Sequence, residues 1–110
     1  MVNSINNKIE QGFKINIKNG NGIYDTGLNN TFWSRLNITA KIIEPQNGIW
    51  DIIIRDKTNK NLVIFHNNHM LHDKEVSFNY ITGLRTNLVI EANWTEAKDT
   101  ILSGEICILY

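Results

Sequence analysis

The sequence is poor in cysteine and proline, with one of each among its 110 residues. A single cysteine, Cys107, excludes an intrachain disulfide and any zinc site that needs two thiolates from the same chain. Because Cys107 stands in the apolar run 106–110, we expect it to be a buried and unreactive side chain.

The sequence also has no excess of either charge, since 11 Lys and Arg residues balance 11 Asp and Glu residues. Nucleic-acid binding needs a basic surface, so we expect no nucleic-acid partner. A net charge near zero lowers the repulsion between copies of the chain, which favours self-association.

Targeting signals and long apolar runs are missing as well. Residues 1–7 lack the basic region and apolar stretch of a signal peptide. No apolar run approaches the roughly 20 residues of a membrane span. The localisation is therefore unknown: we expect a protein that is cytoplasmic, or released without a recognisable signal. Contact with a membrane surface stays open.

Catalytic signatures are absent from the sequence. It contains no Gly-x-Ser-x-Gly motif, no phosphate-binding glycine loop and no dinucleotide fingerprint. The glycine-rich segment 19–22 is not followed by a helix that could bind a phosphate. We expect a protein that is not an enzyme; the alternative is a pair of carboxylates among Glu44, Glu91 and Glu105.

What the sequence does contain is repeated alternation of apolar and polar residues with a period of two. Such segments cover residues 11–18, 32–43, 49–55, 76–81, 88–94 and 100–110, with shorter strands at 23–25 and 62–65. Turn signals separate them at 19–22, 45–48 and 56–61. The pattern predicts one all-β domain over residues 1–110, an antiparallel, jelly-roll-like sandwich of seven or eight strands. A small β-barrel is the alternative, and residues 1–10 are expected to be a flexible or exchanged arm.

Two of the predicted strands carry apolar residues on both faces. Ile49 and Ile53 lie opposite Trp50, and the last strand has Ile101 and Cys107 opposite its other apolar residues. The outward face of a sheet is normally polar in a monomer, so these faces need cover from a loop, the N-terminal arm or another subunit. We therefore expect a homo-oligomer. Trp50 and Trp94 are in phase with aliphatic residues and are expected in the core.

All three histidines fall in one segment, 66–74, which interrupts the alternation and is predicted to be a longer loop. Neutral imidazole binds zinc and other divalent transition metals. The sequence therefore suggests a metal site, although HxxHxxH is not an established zinc spacing and a solvated loop is the alternative. No other cofactor is expected. The candidate ligands are His66, His69, His72 and Asp73.

Trp33 differs from the other tryptophans, because it is out of phase with the apolar residues of its strand and borders a polar loop. An exposed aromatic ring that is flanked by amides and charges suits sugar binding: the ring stacks on a pyranose and the polar groups bond its hydroxyls. A packed position under a neighbouring loop is the alternative. The candidate ligand-binding residues are Trp33, Tyr24, Asp25, Asn30 and Arg35.

These features favour a non-enzymatic, oligomeric module that binds carbohydrate, or another polar small ligand, in the manner of a lectin. A structural subunit of a larger assembly is the second hypothesis, with strands that pair edge to edge between chains. A toxin-like sandwich whose exposed aromatic residues enter a membrane is the third.

Overall fold

The computed structural model describes residues 7–30, 34–82 and 86–110. Within these ranges the chain forms eight β-strands and no helix, so no helix there could cross a membrane. In chain order the strands are β1 (Lys8–Ile17), β2 (Asn21–Asn30), β3 (Ser34–Glu44), β4 (Trp50–Asp56), β5 (Leu62–Met70), β6 (Val76–Thr82), β7 (Thr86–Trp94) and β8 (Thr100–Leu109).

The described strands form two four-stranded antiparallel sheets. Sheet A has the order β1-β8-β3-β6, and sheet B has the order β2-β7-β4-β5. The pairs β1–β8, β2–β7, β3–β6 and β4–β5 nest inside one another, as in one long hairpin that is wrapped into two layers. This is the strand order of a jelly roll. The predicted sandwich is confirmed in preference to a closed barrel, because each sheet ends in edge strands.

The core lies between the sheets, where the alternating side chains of both layers meet. In β4 every second residue from Trp50 to Asp56 is buried, and β7 repeats this pattern. Trp50 is completely buried, and its indole ring stacks on that of half-buried Trp94 at a centroid distance of 5.0 Å. Both tryptophans belong to the core as predicted. The other large, fully buried side chains are Ile15, Ile17, Leu36, Ile38, Ile42, Ile54, Leu88, Ile90, Leu102 and Ile106.

Two predicted turns appear where the sequence indicates them. Asn19 and Gly20 both have positive φ, and backbone hydrogen bonds join Lys18 to Asn21 in both directions. This two-residue turn carries the chain from sheet A to sheet B. Residues 57–61 form the polar turn between β4 and β5, as expected for a hairpin.

Three local predictions need correction. Residues 66–70 are not a loop: β5 continues to Met70, and two register shifts against β4 hide its alternation in the sequence. Residues 8–10 are not an arm, because they pair with residues 107–109 in β1 and β8; residues 1–6 lie outside the described part of the chain. Cys107 is half-buried, since it faces outward between buried Ile106 and Ile108.

The outer faces of the sheets carry the apolar residues for which the sequence predicts cover. Ile53 is half-buried on the outer face of sheet B, and Ile101 on sheet A is 55% exposed. No described segment covers Ile101. Cover by another subunit stays a prediction.

Candidate ligand site at one end of the sandwich

At one end of the sandwich lie the turn 57–61, the start of β7, the end of β2 and the start of β3. Asn30 pairs with Thr86, and Ser34 pairs with Thr82. The Lys57 N–H donates to the Asn87 carbonyl at 2.8 Å, which holds the β4–β5 turn against β7. We call this region the Asp25 end.

A bulge in β2 shapes this end. Asp25 pairs with Val89 and Asn29 with Asn87, so the three residues 26–28 stand opposite Leu88 alone. The buried Thr26 hydroxyl donates to the Leu88 carbonyl at 2.7 Å and accepts the Leu28 N–H at 3.2 Å. The Thr26 side chain therefore bonds backbone groups on both strands of the bulge. Bulges are frequent near functional sites because they redirect side chains.

Asp25, at the start of the bulge, is the centre of a polar cluster. Its Oδ1 accepts the Gly27 N–H at 2.9 Å, and its Oδ2 lies 3.2 Å from Lys57 Nζ and 3.5 Å from Asn87 Nδ2. The Gly27 N–H and then the Lys57 ammonium hold the pKa of Asp25 below its ordinary value. The carboxylate is therefore ionised at neutral pH. We call Asp25, Lys57 and Asn87 the Asp25 cluster.

The second carboxylate at this end, Asp56, is buried, with 1% of its surface exposed. The Tyr80 hydroxyl donates to its Oδ2 at 2.7 Å, and the Thr58 hydroxyl and N–H donate to its Oδ1 at 2.7 and 3.1 Å. Burial raises the pKa of Tyr80, and Asp56 adds to the rise while the Asn59 amide opposes it. Asp56 thus fastens the β4–β5 turn to β6 across the two sheets.

The five predicted ligand-binding residues do not converge. Tyr24 faces the interior, where its ring packs 6.0 Å from Phe13 and its hydroxyl accepts a hydrogen bond from Gln11 at 3.1 Å. Arg35 is exposed on the outer face of sheet A, whereas Asp25 belongs to sheet B. The structure therefore does not bring the side chains of Tyr24, Asp25 and Arg35 together. Neighbouring residues of a strand point to opposite faces, which separates Tyr24 from Asp25.

For the remaining two predicted residues, Asn30 and Trp33, the structure describes no side-chain position. Asn30 is the last residue of β2, and its backbone lies at the Asp25 end. Trp33 lies outside the described residues, so its predicted role stays a prediction.

The predicted metal ligands are also dispersed. His66 Nε2 lies 2.6 Å from Asp51 Oδ1, and His69 is exposed in β5. The backbone of His72 forms an isolated β-bridge with Ile42, and Asp73 Oδ1 lies 3.7 Å from Lys41 Nζ. An extended strand separates residues three apart by roughly 10 Å. In the described part of the chain, no three or more His, Cys, Asp or Glu side chains are grouped so that they could hold a metal ion.

Sequence reasoning missed Lys57, Asn87, Asp56 and Tyr80. Asp56 had a visible signal, because it continues the core phase of Trp50, Ile52 and Ile54 and thus predicts a buried carboxylate. Lys57 and Asn87 had no comparable signal, since they meet Asp25 only through the pairing of β2, β7 and β4.

The large exposed apolar side chains are spread over the surface. Ile23 lies on the outer face of sheet B, Ile81 and Ile101 on that of sheet A, and Leu62 and Val63 after the β4–β5 turn. Among the described residues, these side chains do not share one face of the sandwich. Contact with a membrane stays a prediction.

Comparisons with known proteins identify the fold. No family model and no curated protein matches the chain. The crystal structure of Yersinia pseudotuberculosis-derived mitogen is similar with a TM-score of 0.61 and 14% identity, over 93% of this chain and 86% of the mitogen. Aeromonas hydrophila PliG, a periplasmic inhibitor of g-type lysozyme, is similar with a TM-score of 0.54 and 8% identity, over 100% of this chain and 92% of the inhibitor. The chain therefore has the fold of β-sandwich proteins.

Proposed function

We propose that this protein is a non-enzymatic binding module whose ligand is a carbohydrate or a similar polyhydroxylated molecule, bound at the Asp25 end. The observation that carries this proposal is the Asp25 cluster, in which a carboxylate, an ammonium and an amide meet at a β-bulge. Neither of the two similar proteins is named for a catalytic activity, which is consistent with a binding role.

The chemistry of the cluster suits hydroxyl groups. An ionised carboxylate has about four acceptor positions, of which three are filled by Gly27, Lys57 and Asn87. The Lys57 ammonium carries three donors, and its bond to Asp25 uses one of them. The cluster therefore offers both an acceptor and donors to a ligand, and a sugar hydroxyl needs both.

The position of the cluster adds to this argument. Asn30 and Ser34 border the segment that contains Trp33, and both lie at the Asp25 end. In the proposed complex the Trp33 ring stacks on the apolar face of the sugar while the Asp25 cluster bonds its hydroxyls. Tyr24 and Arg35 take no part, because their side chains lie elsewhere.

A glycan array, followed by calorimetry on the best glycan, tests the proposal. We expect Lys57→Ala to weaken binding by about tenfold or more, because it removes an ammonium donor to a ligand hydroxyl. Lys98→Ala is the matched control: Lys98 is also an exposed lysine in an ion pair, with Glu96 at 3.4 Å, but it lies at the opposite end. We expect it to bind like the wild type.

The carbohydrate proposal fails if the array gives no glycan above background. It also fails if a bound glycan is unaffected by both Lys57→Ala and Trp33→Ala. Circular dichroism of each variant separates lost binding from lost folding.

A further inference from the structure

The four edge strands of the sandwich differ in how they discourage pairing with another chain. β1 carries the exposed charges Lys8, Glu10 and Lys14, β2 is interrupted by its bulge, and β5 has two register shifts against β4. Charges and bulges are the usual devices that keep a sheet edge from pairing. Three of the four edges are therefore protected.

β6 has none of these devices. Its sequence, VSFNYIT, contains no charged residue, proline or glycine. It pairs with β3 from Thr82 to Val76 without a register shift, so its backbone is regular over its whole length. No described strand pairs with its other side. A regular, uncharged edge is a template for an added strand.

We propose that β6 pairs with β6 of a second copy of this chain, antiparallel across a two-fold axis at Asn79. The result is one continuous sheet in the order β1-β8-β3-β6-β6-β3-β8-β1. This interface lies outside the Asp25 cluster and does not depend on the proposed carbohydrate binding.

The sequence of β6 is self-complementary in this register. Phe78 faces Tyr80 of the second copy on the inner side, and Ser77 faces Ile81 on the outer side. Ile81 is 69% exposed in the single chain, and this pairing reduces its exposure. Aromatic pairs across antiparallel strands are favourable, and no charge of β6 meets a like charge.

The aromatic residues of β6 are already held in place. The Phe78 ring stacks on Phe65 of β5 at a centroid distance of 4.6 Å, and the Tyr80 hydroxyl donates to buried Asp56. Association therefore costs little further ordering of these side chains. Preorganised side chains and an unprotected backbone edge coincide on the same strand.

Asn79, on the proposed axis, also suits the contact. Its Oδ1 accepts a hydrogen bond from Asn37 Nδ2 at 3.2 Å, so its own Nδ2 remains a donor. Across the axis each Asn79 donates to Oδ1 of the other, which extends the row of amides from β3 through both copies of β6. A second copy is the partner that matches the edge residue by residue, and balanced charge opposes it little.

Sedimentation equilibrium of the full chain over a range of concentrations tests this proposal. We expect a monomer–dimer equilibrium. Asn79→Lys places two ammonium groups side by side at the axis and should weaken the dimer by about tenfold or more. Asn16→Lys is the matched control, because Asn16 is also an exposed, outward-facing asparagine on an edge strand, β1. It should leave the dimer unchanged.

A mixing experiment locates the axis. Asn79→Lys and Asn79→Asp should each dimerise more weakly alone than the wild type, and an equimolar mixture should restore the dimer because opposite charges then meet. A monomer at every concentration overturns the proposal, and so does a dimer that Asn79→Lys leaves intact. Glycan binding by a monomeric variant would show that the ligand site is independent of the dimer.

Discussion

At the scale of single residues, the buried carboxylate of Asp56 is the feature that most needs a physical account. A buried charge is costly unless hydrogen bonds replace its water. Asp56 receives such bonds from Thr58 and Tyr80 and thereby ties the β4–β5 turn to β6. The stability of this corner depends on those donors.

Tyr80→Phe tests this dependence. The change removes one hydroxyl donor to a buried carboxylate, and we expect the free energy of unfolding to fall by about 2 kcal/mol in urea denaturation. Tyr24→Phe is the matched control, since its hydroxyl accepts from a neutral amide, and should cost about 1 kcal/mol or less. Equal losses in the two variants would contradict the assignment.

The raised pKa of Tyr80 predicts that the free energy of unfolding falls at alkaline pH. The pKa of Tyr80 is raised from 10.0, so the folded protein holds the phenol proton more tightly than the unfolded chain does. Its contribution to stability is complete below pH 10.0 and is lost as the pH rises through the pKa of the folded phenol. Tyr80→Phe should lack this part of the decline.

The candidate site shows which residues a single sequence can identify. Asp25 was among the predicted residues, but it was grouped with Tyr24 and Arg35, which are near in sequence and distant in the fold. Its actual neighbours, Lys57 and Asn87, come from other strands. The register that brings them together arises from the packing of the whole sandwich, and local alternation carries no information about it.

At the scale of strands and turns, regular alternation made the elements predictable. β3, β4 and β7 have a buried residue at every second position, and these core positions follow the alternation of the sequence. The sequence predicts only residues 62–65 of β5, because the two register shifts of this strand disturb the period of two. The same irregularity distinguishes β5 from β6 as an edge, so the feature that defeats local prediction also protects the strand.

The turn before β4 gives a prediction at this scale. Gly48 has φ of 104°, and a Cβ there would fall on the indole nitrogen of Trp94. We expect Gly48→Ala to reduce stability by about 2 kcal/mol or more, and to change the near-ultraviolet circular dichroism of the Trp50–Trp94 stack.

Gly27→Ala separates backbone strain from steric clash in this prediction. Gly27 also has positive φ, at 67°, but a Cβ there meets nothing within 4 Å. It should cost only the strain of the left-handed conformation, about 1 kcal/mol. A similar cost for both variants would mean that Trp94 is not tightly packed against the turn.

At the scale of the whole molecule, the nested strand order separates strand pairs that are close in sequence from pairs that are distant. β4 and β5 are joined by the turn 57–61, whereas β1 and β8 come from opposite ends of the chain. Closing a longer loop costs more conformational entropy, so the pair β4–β5 forms at a lower entropic cost than the pair β1–β8. Sandwiches with mainly non-local pairing fold in milliseconds to seconds.

This order predicts which pairs are formed in the folding transition state. Ile54 in β4 and Ile15 in β1 are both fully buried, and Ile→Val at either should cost about 1 kcal/mol. The loss at Ile54 should appear mainly in the folding rate, with a φ-value of about 0.5 or more, because β4 pairs early with β5. The loss at Ile15 should appear mainly in the unfolding rate, with a φ-value of about 0.2 or less, because β1 joins β8 late. Stopped-flow kinetics in urea measures both values, and a higher φ-value at Ile15 than at Ile54 would show that the ends of the chain meet first.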